Sequence, residues 1–344
     1  MKKYIFILTY WLGGGTEKVF ENIAKALHGS EAQVILYVIN GFDEEKYSIE
    51  DFVTVIKTRK ELFRNVTPDT IVVNFSGDWK SSLTAYCLSK NYVSWIHCNP
   101  YTMKSARTGF FNFWLLKKSK KIVCVCNEQK EILQNEFKFC NDFSVIYNSV
   151  DFDTVRNKAS ENLDFDSKYF LMIARMDFNS KDFFTVIDAY SMLDMEIQNE
   201  YKLVFLGDGN DRSQVEEYIK KKNLTENVVL PGFDKNPYKW FKNAVCNILS
   251  SKTEGFGVSI IEGMSIGCPE IITNYRTGAK EVSANGSNAI IVDIGDAEAM
   301  KNAMKTLVYD NERRENLIKN ANSFIQNFSQ NIFEKRIIDF FGDL

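Results

Sequence analysis

Residues 245–269 read VCNILSSKTEGFGVSIIEGMSIGCP, a short apolar run, a glycine-spaced loop and a helical pattern closed by a turn. Val245 to Leu249 has the length and composition of a buried strand. Gly255 and Gly257 permit a close backbone approach in the loop. Val258 to Ile266 reads as a helix, and Gly267-Cys268-Pro269 ends it. The backbone amides near Phe256, Gly257 and Val258 therefore lie at a helix start, where free N–H groups and the helix dipole favour an anion. Glu254 stands in the loop and Glu262 one turn inside the helix, so the two carboxylates sit on different elements and can bracket a ligand. The plainer alternative is a solvated loop acid and an early helix acid favoured by the dipole. The glycine spacing around the pair favours the functional reading.

Outward from this stretch, apolar runs alternate with helical patterns along the chain. Tyr4 to Leu8, Gln33 to Ile39, Ile71 to Asn74, Val93 to Ile96, Ile122 to Cys126 and Phe143 to Tyr147 form a first series. A second comprises Phe170 to Ala174, Leu203 to Leu206, Val228 to Leu230, Val245 to Leu249, Glu270 to Thr273 and Ala289 to Val292. The runs are apolar on both faces, as parallel strands covered by helices require. Helical spacing recurs between them, as at Phe183 to Leu193 and Arg212 to Lys222. Asn148 to Asp166 is polar and reads as a linker. The expected architecture is α/β with two Rossmann-like domains facing across a cleft. The first spans residues 1–155 and the second 156–324, with a strongly apolar C-terminal helix, 325–344, packing back on the first.

The 344 residues suffice for two cores, and 45% hydrophobic with 25% charged residues is a globular balance. A net charge of −3 argues against a nucleic-acid binder. Seven Cys at irregular spacing and only two His, His28 and His97, argue against a zinc site or a disulfide framework, and for a reducing compartment. The start, MKKYIFILTYWLGGG, reads as a buried strand running into a glycine loop rather than a signal peptide. No apolar run approaches the roughly 20 residues that span a bilayer.

Four further stretches carry candidate chemistry. Arg175 and Lys181 follow the strand Phe170 to Ala174, and cations at a strand's carboxyl end suit a phosphate-bearing ligand. Gly13-Gly14-Gly15-Thr16-Glu17 opens a helix after the first strand and fits neither G-x-G-x-x-G nor a P-loop. Gly13 reads as a tight turn, Gly14 and Gly15 as ligand-facing. His97 ends the strand Val93 to Ile96, where a structural and a functional role are evenly matched. Residues 99–126 contain no acid, and place Lys104, Arg107, Lys117, Lys118, Lys120 and Lys121 around Phe110, Phe111, Phe113 and Trp114. That composition suits an anionic membrane surface, or else a core helix with solvated Lys ends.

Glu254 and Glu262 with Gly-Phe-Gly between them resemble the E-x7-E motif of glycosyltransferase family 4, retaining enzymes of the GT-B fold. The resemblance runs on through Gly207-Asp208-Gly209, Pro231-Gly232-Phe233, the turn at 267–269, and Gly278, Glu281 and Gly286. It implies a nucleotide-diphosphate-sugar donor, most simply a UDP-sugar, and transfer of a hexose or N-acetylhexosamine with retained configuration. It implies that Glu262 holds the ribose hydroxyls, Glu254 and His97 face the transferred sugar, and Arg175 and Lys181 hold the diphosphate. Gly14, Gly15, Phe256, Gly257, Val258, Gly232 and Phe233 complete the donor site. Two departures stand out: Arg175 and Lys181 are one residue further apart than usual, and Asp182 stands where Gly is usual. The resemblance implies no metal or other cofactor, the protein's own cations serving the leaving group. It implies a saccharide or undecaprenyl-diphosphate-linked acceptor. The Lys- and Asn-rich composition points to a bacterial surface polysaccharide such as capsule, O-antigen or teichoic glycan, and the expected place of work is the cytoplasm or, peripherally, the inner face of the membrane. A sugar-nucleotide epimerase or hydrolase of the same architecture, and an inactive glycan-binding partner subunit, are the alternatives.

Overall fold

A computed structural model describes residues 2–11, 15–30, 32–40 and 51–344. The chain divides into two units, residues 1–149 with 330–344, and residues 150–329.

In the first unit the described residues form a seven-stranded parallel sheet. Its strands are β1 (Lys3–Leu8), β2 (Gln33–Val38), β3 (Val53–Ile56), β4 (Thr70–Asn74), β5 (Val93–Ile96), β6 (Lys121–Cys124) and β7 (Asp142–Val145), in the order β3-β2-β1-β4-β5-β6-β7. Alternate side chains enter cores on opposite faces. Ile5 and Ile7 of β1 join Ile35, Tyr37 and Val72 on one side. Phe6 meets Phe20 and Phe75 edge-on, with ring centroids 5.2 and 5.6 Å apart. The edge strand β3 is too short and too exposed at Thr54 to show in the hydrophobic pattern.

The second unit repeats this plan with six strands. These are β8 (Lys168–Ile173), β9 (Tyr201–Leu206), β10 (Val228–Gly232), β11 (Ala244–Leu249), β12 (Glu270–Thr273) and β13 (Ile290–Val292), ordered β10-β9-β8-β11-β12-β13 and all parallel. Phe170, Met172 and Phe205 face a core with Phe183, Val186, Met300 and Met304. Tyr169, Leu171 and Val204 face the other way, against Trp240 and Phe241. Two-sided burial is what makes these strands continuous apolar runs.

Two segments differ from the sequence reading. Within 148–166, which reads as a linker, Phe152–Ala159 is a helix. Its three apolar positions, Phe152, Val155 and Ala159, are too few to stand out, yet all are buried, and Asp151 caps its start by accepting from the Thr154 amide at 3.0 Å. The apolar tail is not one helix either. Asn311–Phe324 passes into a 3-10 turn, Ile325–Phe328, and Ser329 is extended before the final helix Gln330–Gly342.

That final helix is part of the first unit and packs on the helix Gly15–His28. Phe341 is buried, its ring 4.9 Å from Tyr4 and 5.9 Å from Phe6. The Lys2 ammonium donates to the Phe341 and Gly342 carbonyls at 3.2 and 2.9 Å. The last helix thus covers a sheet face that would otherwise meet water. Phe341→Ala is expected to lower the unfolding free energy by about 3–5 kcal/mol, read from the midpoint of urea denaturation.

Candidate functional site

In both units the strand order reverses direction at the first strand, between β1 and β4 and between β8 and β11. In open parallel sheets the loops beyond the carboxyl ends on either side of such a point diverge and leave a crevice for ligand. Arg175 and Lys181 lie in the loop after β8, and Glu254 in the loop after β11, so all three flank the switch point of the second unit.

The two loops are joined by backbone. Lys181 and Ser251 form an antiparallel bridge, the Asp182 amide donates to the Ser250 carbonyl at 2.8 Å, and the Lys252 amide to the Ser180 carbonyl at 2.8 Å. The side chains meet on this frame. The Lys181 ammonium pairs with the Glu254 carboxylate and donates to Ser251 Oγ at 3.0 Å, and Ser251 Oγ donates to Glu254 Oε1 at 2.7 Å. Thr277 holds the same loop from the other side, its hydroxyl donating to the Glu254 carbonyl at 2.5 Å. Lys181 and Glu254 are both half-buried, where a charge pair is screened less than on an open surface.

Asp182, a departure from the family pattern, has a local reason. It is the N-cap of the helix Phe183–Ser191, accepting from the Thr185 amide at 3.2 Å and the Thr185 hydroxyl at 2.8 Å. Such a cap contributes about 1 kcal/mol and fixes the chain direction immediately after Lys181.

Arg175 leaves the same loop differently. Its side chain is 77% exposed and bonded to Asp177 at 3.0 Å rather than to the Lys181–Glu254 pair. The loop beneath it is held by the turn after β9. The Ala174 amide donates to the Leu206 carbonyl at 3.0 Å and the Met176 amide to the Asp208 carbonyl at 3.0 Å. This contact needs Gly207 and Gly209: a Cβ on either would stand 2.2 Å from the Ala174 oxygen or 2.3 Å from the Met176 oxygen. The Gly-Asp-Gly turn therefore serves to let two loops run side by side.

The helix Val258–Ile266 begins at Gly257, which adopts a left-handed conformation with φ +91° and has no side-chain cap on the amides that follow. Val258 opens the helix. Phe256 contributes through its backbone, because its ring is buried against Phe328 and its carbonyl accepts from the Tyr275 hydroxyl at 2.9 Å. Glu262 sits in the second turn, its Oε1 accepting from the Tyr238 hydroxyl at 3.0 Å. Burial pushes its pKa up to about 7, opposed by the Tyr238 hydrogen bond.

Gly232 ends β10 with φ +87°, and its carbonyl accepts from the Gly207 amide at 2.8 Å. Phe233 beside it projects into solvent, 78% exposed. In the first unit, Gly15 begins the helix Gly15–His28, whereas Gly13 and Gly14 lie outside the described residues. His97 lies just beyond β5, with its ring 4.5 Å from Phe75 and parallel to Trp95 at 6.1 Å. Burial lowers its pKa to about 3, so the imidazole is neutral, and its Nε2 is buried without a hydrogen-bond partner.

Sequence reasoning missed four groups. Ser251 and Tyr238 each bond one acid of the pair, and Asp177 holds Arg175. The fourth is Glu270, fully buried in β12, where its Oε2 accepts from Asn247 Nδ2 at 2.7 Å. Burial pushes its carboxyl well above the usual carboxylate range, and Glu262 acts in the same direction. Gly263 makes the room: a Cβ there would stand 2.0 Å from Glu270 Oε1. An acid inside an otherwise apolar strand was the available signal. Among the described residues no cluster of three or more His, Cys, Asp or Glu could hold a metal ion.

Known proteins resemble this chain at three levels. A Campylobacter jejuni N-acetylgalactosamine-N,N'-diacetylbacillosaminyl-diphospho-undecaprenol 4-alpha-N-acetylgalactosaminyltransferase is 28% identical over 54% of this chain and 49% of its own length. The chain thus spans about half of that relative. A second C. jejuni enzyme, a GalNAc-alpha-(1->4)-GalNAc-alpha-(1->3)-diNAcBac-PP-undecaprenol alpha-1,4-N-acetyl-D-galactosaminyltransferase, is 25% identical over 95% of both chains. Anabaena HepE, solved in complex with UDP and glucose, superposes with a TM-score of 0.82 over 100% of both chains at 15% identity, which shows the shared GT-B fold of two Rossmann-like parallel-sheet domains. The model of Glycosyltransferase Family 4 matches residues 13–154, and that of Glycosyl transferases group 1 matches residues 153–324, half of the chain. The chain belongs to the group 1 glycosyl transferases.

Proposed function

We propose that the protein is a retaining glycosyltransferase that moves a hexose or N-acetylhexosamine from a UDP-sugar to a glycan or lipid-linked acceptor in surface polysaccharide synthesis. The observation that carries the reading is the Lys181–Glu254 pair, joined through Ser251 at the switch point of the second sheet. Two C. jejuni relatives named as acting on diphospho-undecaprenol-linked sugars support the acceptor class. The UDP complex of HepE supports the donor.

In this reaction the bond between the anomeric carbon and the diphosphate oxygen breaks with its electrons going to the phosphate. The acceptor hydroxyl attacks from the same face, and its proton passes to the departing phosphate oxygen. The charge that grows on the leaving group is met by Lys181, by Arg175 swung from Asp177, and by the uncapped amides after Gly257. Cations fixed there stabilise the transition state more than the ground state. Arriving diphosphate competes with Glu254 for the Lys181 ammonium, and the freed carboxylate turns to the sugar. Glu262 takes the ribose hydroxyls, and Gly232 and Phe233 border the base. The protein's own cations serve the leaving group without a metal, and the enzyme works in the cytoplasm.

Lys181→Ala and Arg175→Ala should each lower kcat by about 10²–10³-fold. Glu254→Ala should abolish transfer yet leave UDP affinity within a few-fold of wild type. Turnover measured with a panel of UDP-sugars and a saccharide acceptor checks this. Unchanged rates would refute the assignment, and UDP release independent of acceptor would indicate a hydrolase.

Glu262 gives a second expectation. Below about pH 7 its buried carboxyl is protonated in the free protein. A carboxylate accepts both ribose hydroxyls better than the neutral acid does. UDP affinity should therefore strengthen as pH rises through about 7, with release of a proton on binding. Glu262→Gln should lose that component, and calorimetric titration of both proteins at several pH values separates it from the titration of the diphosphate, which is common to both.

A further inference from the structure

We infer that the exposed face of the helix Gly109–Leu116, in the first unit, docks the protein on an anionic lipid bilayer. The helix has two different faces. Phe113, Leu115 and Leu116 are buried in the unit's core. Phe110, Phe111 and Trp114 point the other way, 88%, 42% and 44% exposed. Their spacing, i, i+1 and i+4, sets them on one stripe, where Phe111 and Trp114 stack at 6.0 Å and Tyr86 meets Trp114 at 5.8 Å. The core does not need these rings, and water is a poor environment for so many together.

Charge surrounds the stripe. Lys104 and Arg107 stand exposed before the helix, and Lys117, Lys118 and Lys120 after it. The Lys118 ammonium lies 5.7 Å from the Trp114 ring, and Lys104 lies 4.7 Å from Phe137. Lys121 is excluded from the set, because Asp142 pairs with it at 3.1 Å. A cavity of about 370 Å³ opens beside the stripe between Phe110, Phe113, Trp114 and Phe137, with Lys104 and Lys117 at its rim. Glu136 also lines it, and its carboxylate accepts from the Tyr101 hydroxyl.

Charge complementarity chooses the occupant. The chain as a whole is net negative, so a zone without acidic residues and rich in lysine is where an anionic surface can be drawn to it. Cations beside aromatic rings match the boundary between lipid phosphates and acyl chains, where Trp and Tyr rings with one wet edge are at home. The helix has eight residues, so it lies along the boundary rather than crossing it. Phosphates meet the lysines, while Phe110 and Trp114 enter the acyl region and the cavity between them receives a lipid chain. The inference stands on this surface alone and is independent of the donor chemistry.

Co-sedimentation of the full chain with phosphatidylcholine vesicles, with and without phosphatidylglycerol, tests it. Wild type should bind the anionic vesicles and leave the neutral ones largely unbound. Lys104→Gln, Lys117→Gln and Lys118→Gln combined should weaken binding about fivefold per charge. Phe110→Ser with Trp114→Ser should weaken it more than tenfold, and most clearly at high salt, where the charge contribution is screened. Both variants should keep wild-type melting and wild-type transfer to a water-soluble acceptor. A control pair far in sequence, Lys220→Gln with Lys221→Gln, should bind as wild type. Equal sedimentation with neutral and anionic vesicles, or variants that bind as wild type, would overturn the inference. So would concentration-dependent dimerisation without vesicles that the double Ser variant abolishes, since the face would then belong to a second copy of the chain.

Discussion

Parallel pairing is the constraint on which everything else depends. A parallel strand must be followed by a crossover before its neighbour, which among the described residues is helical at most connections, and each sheet needs cover on both faces. The consequence for the sequence is apolar runs such as Tyr169–Met172, in which successive side chains enter different cores. The consequence for chemistry is that the loops leaving the carboxyl ends gather along one edge. Where the order turns at β8 and β11 those loops part, and there the chain places a lysine and a glutamate that face one another.

The loops are not left to find this arrangement by side-chain attraction. A largely buried ion pair loses to desolvation much of what it gains by attraction. Backbone hydrogen bonds between 180–182 and 250–252, the Asp182 cap and the Thr277 hydroxyl hold the two chains in place, and the pair is added to a frame already built. The glycines of the β9 turn play the same part for Arg175. What looks in sequence like a ligand-binding signature is, at Gly207 and Gly209, the absence of two methyl groups that would collide with a neighbouring loop.

This division also explains what the sequence made legible. Strands with two buried faces announce themselves, and every one read from sequence falls on an observed strand. The strand β3 did not, because it lies at an edge with an exposed residue in a run of four. The helix Phe152–Ala159 did not, because three apolar residues make too faint a period. Lys181 and Glu254 were legible as types at suitable places. That they are partners was not, since the pairing depends on two loops distant in sequence. Ser251, Tyr238 and Asp177 were hidden for the same reason. Arg175 shows the limit from the other side: its position was readable, but its hold on Asp177 was not.

Gly263 and Glu270 make one position out of two. The carboxyl of Glu270 occupies the space in which any side chain at 263 would begin, and Asn247 holds it there. Effects of changes at these sites cannot simply add. While the long acid stands in β12, even one methyl at 263 must displace its carboxyl, and it also meets the Phe241 ring at 2.9 Å. With a shorter apolar residue at 270 the carboxyl is gone, and that same methyl, on a better helix former, has only the Phe241 ring left to displace. The order in which the two substitutions arrive thus decides how far the helix is disturbed, and making the change at 270 first spares the turn that carries Glu262 the larger collision.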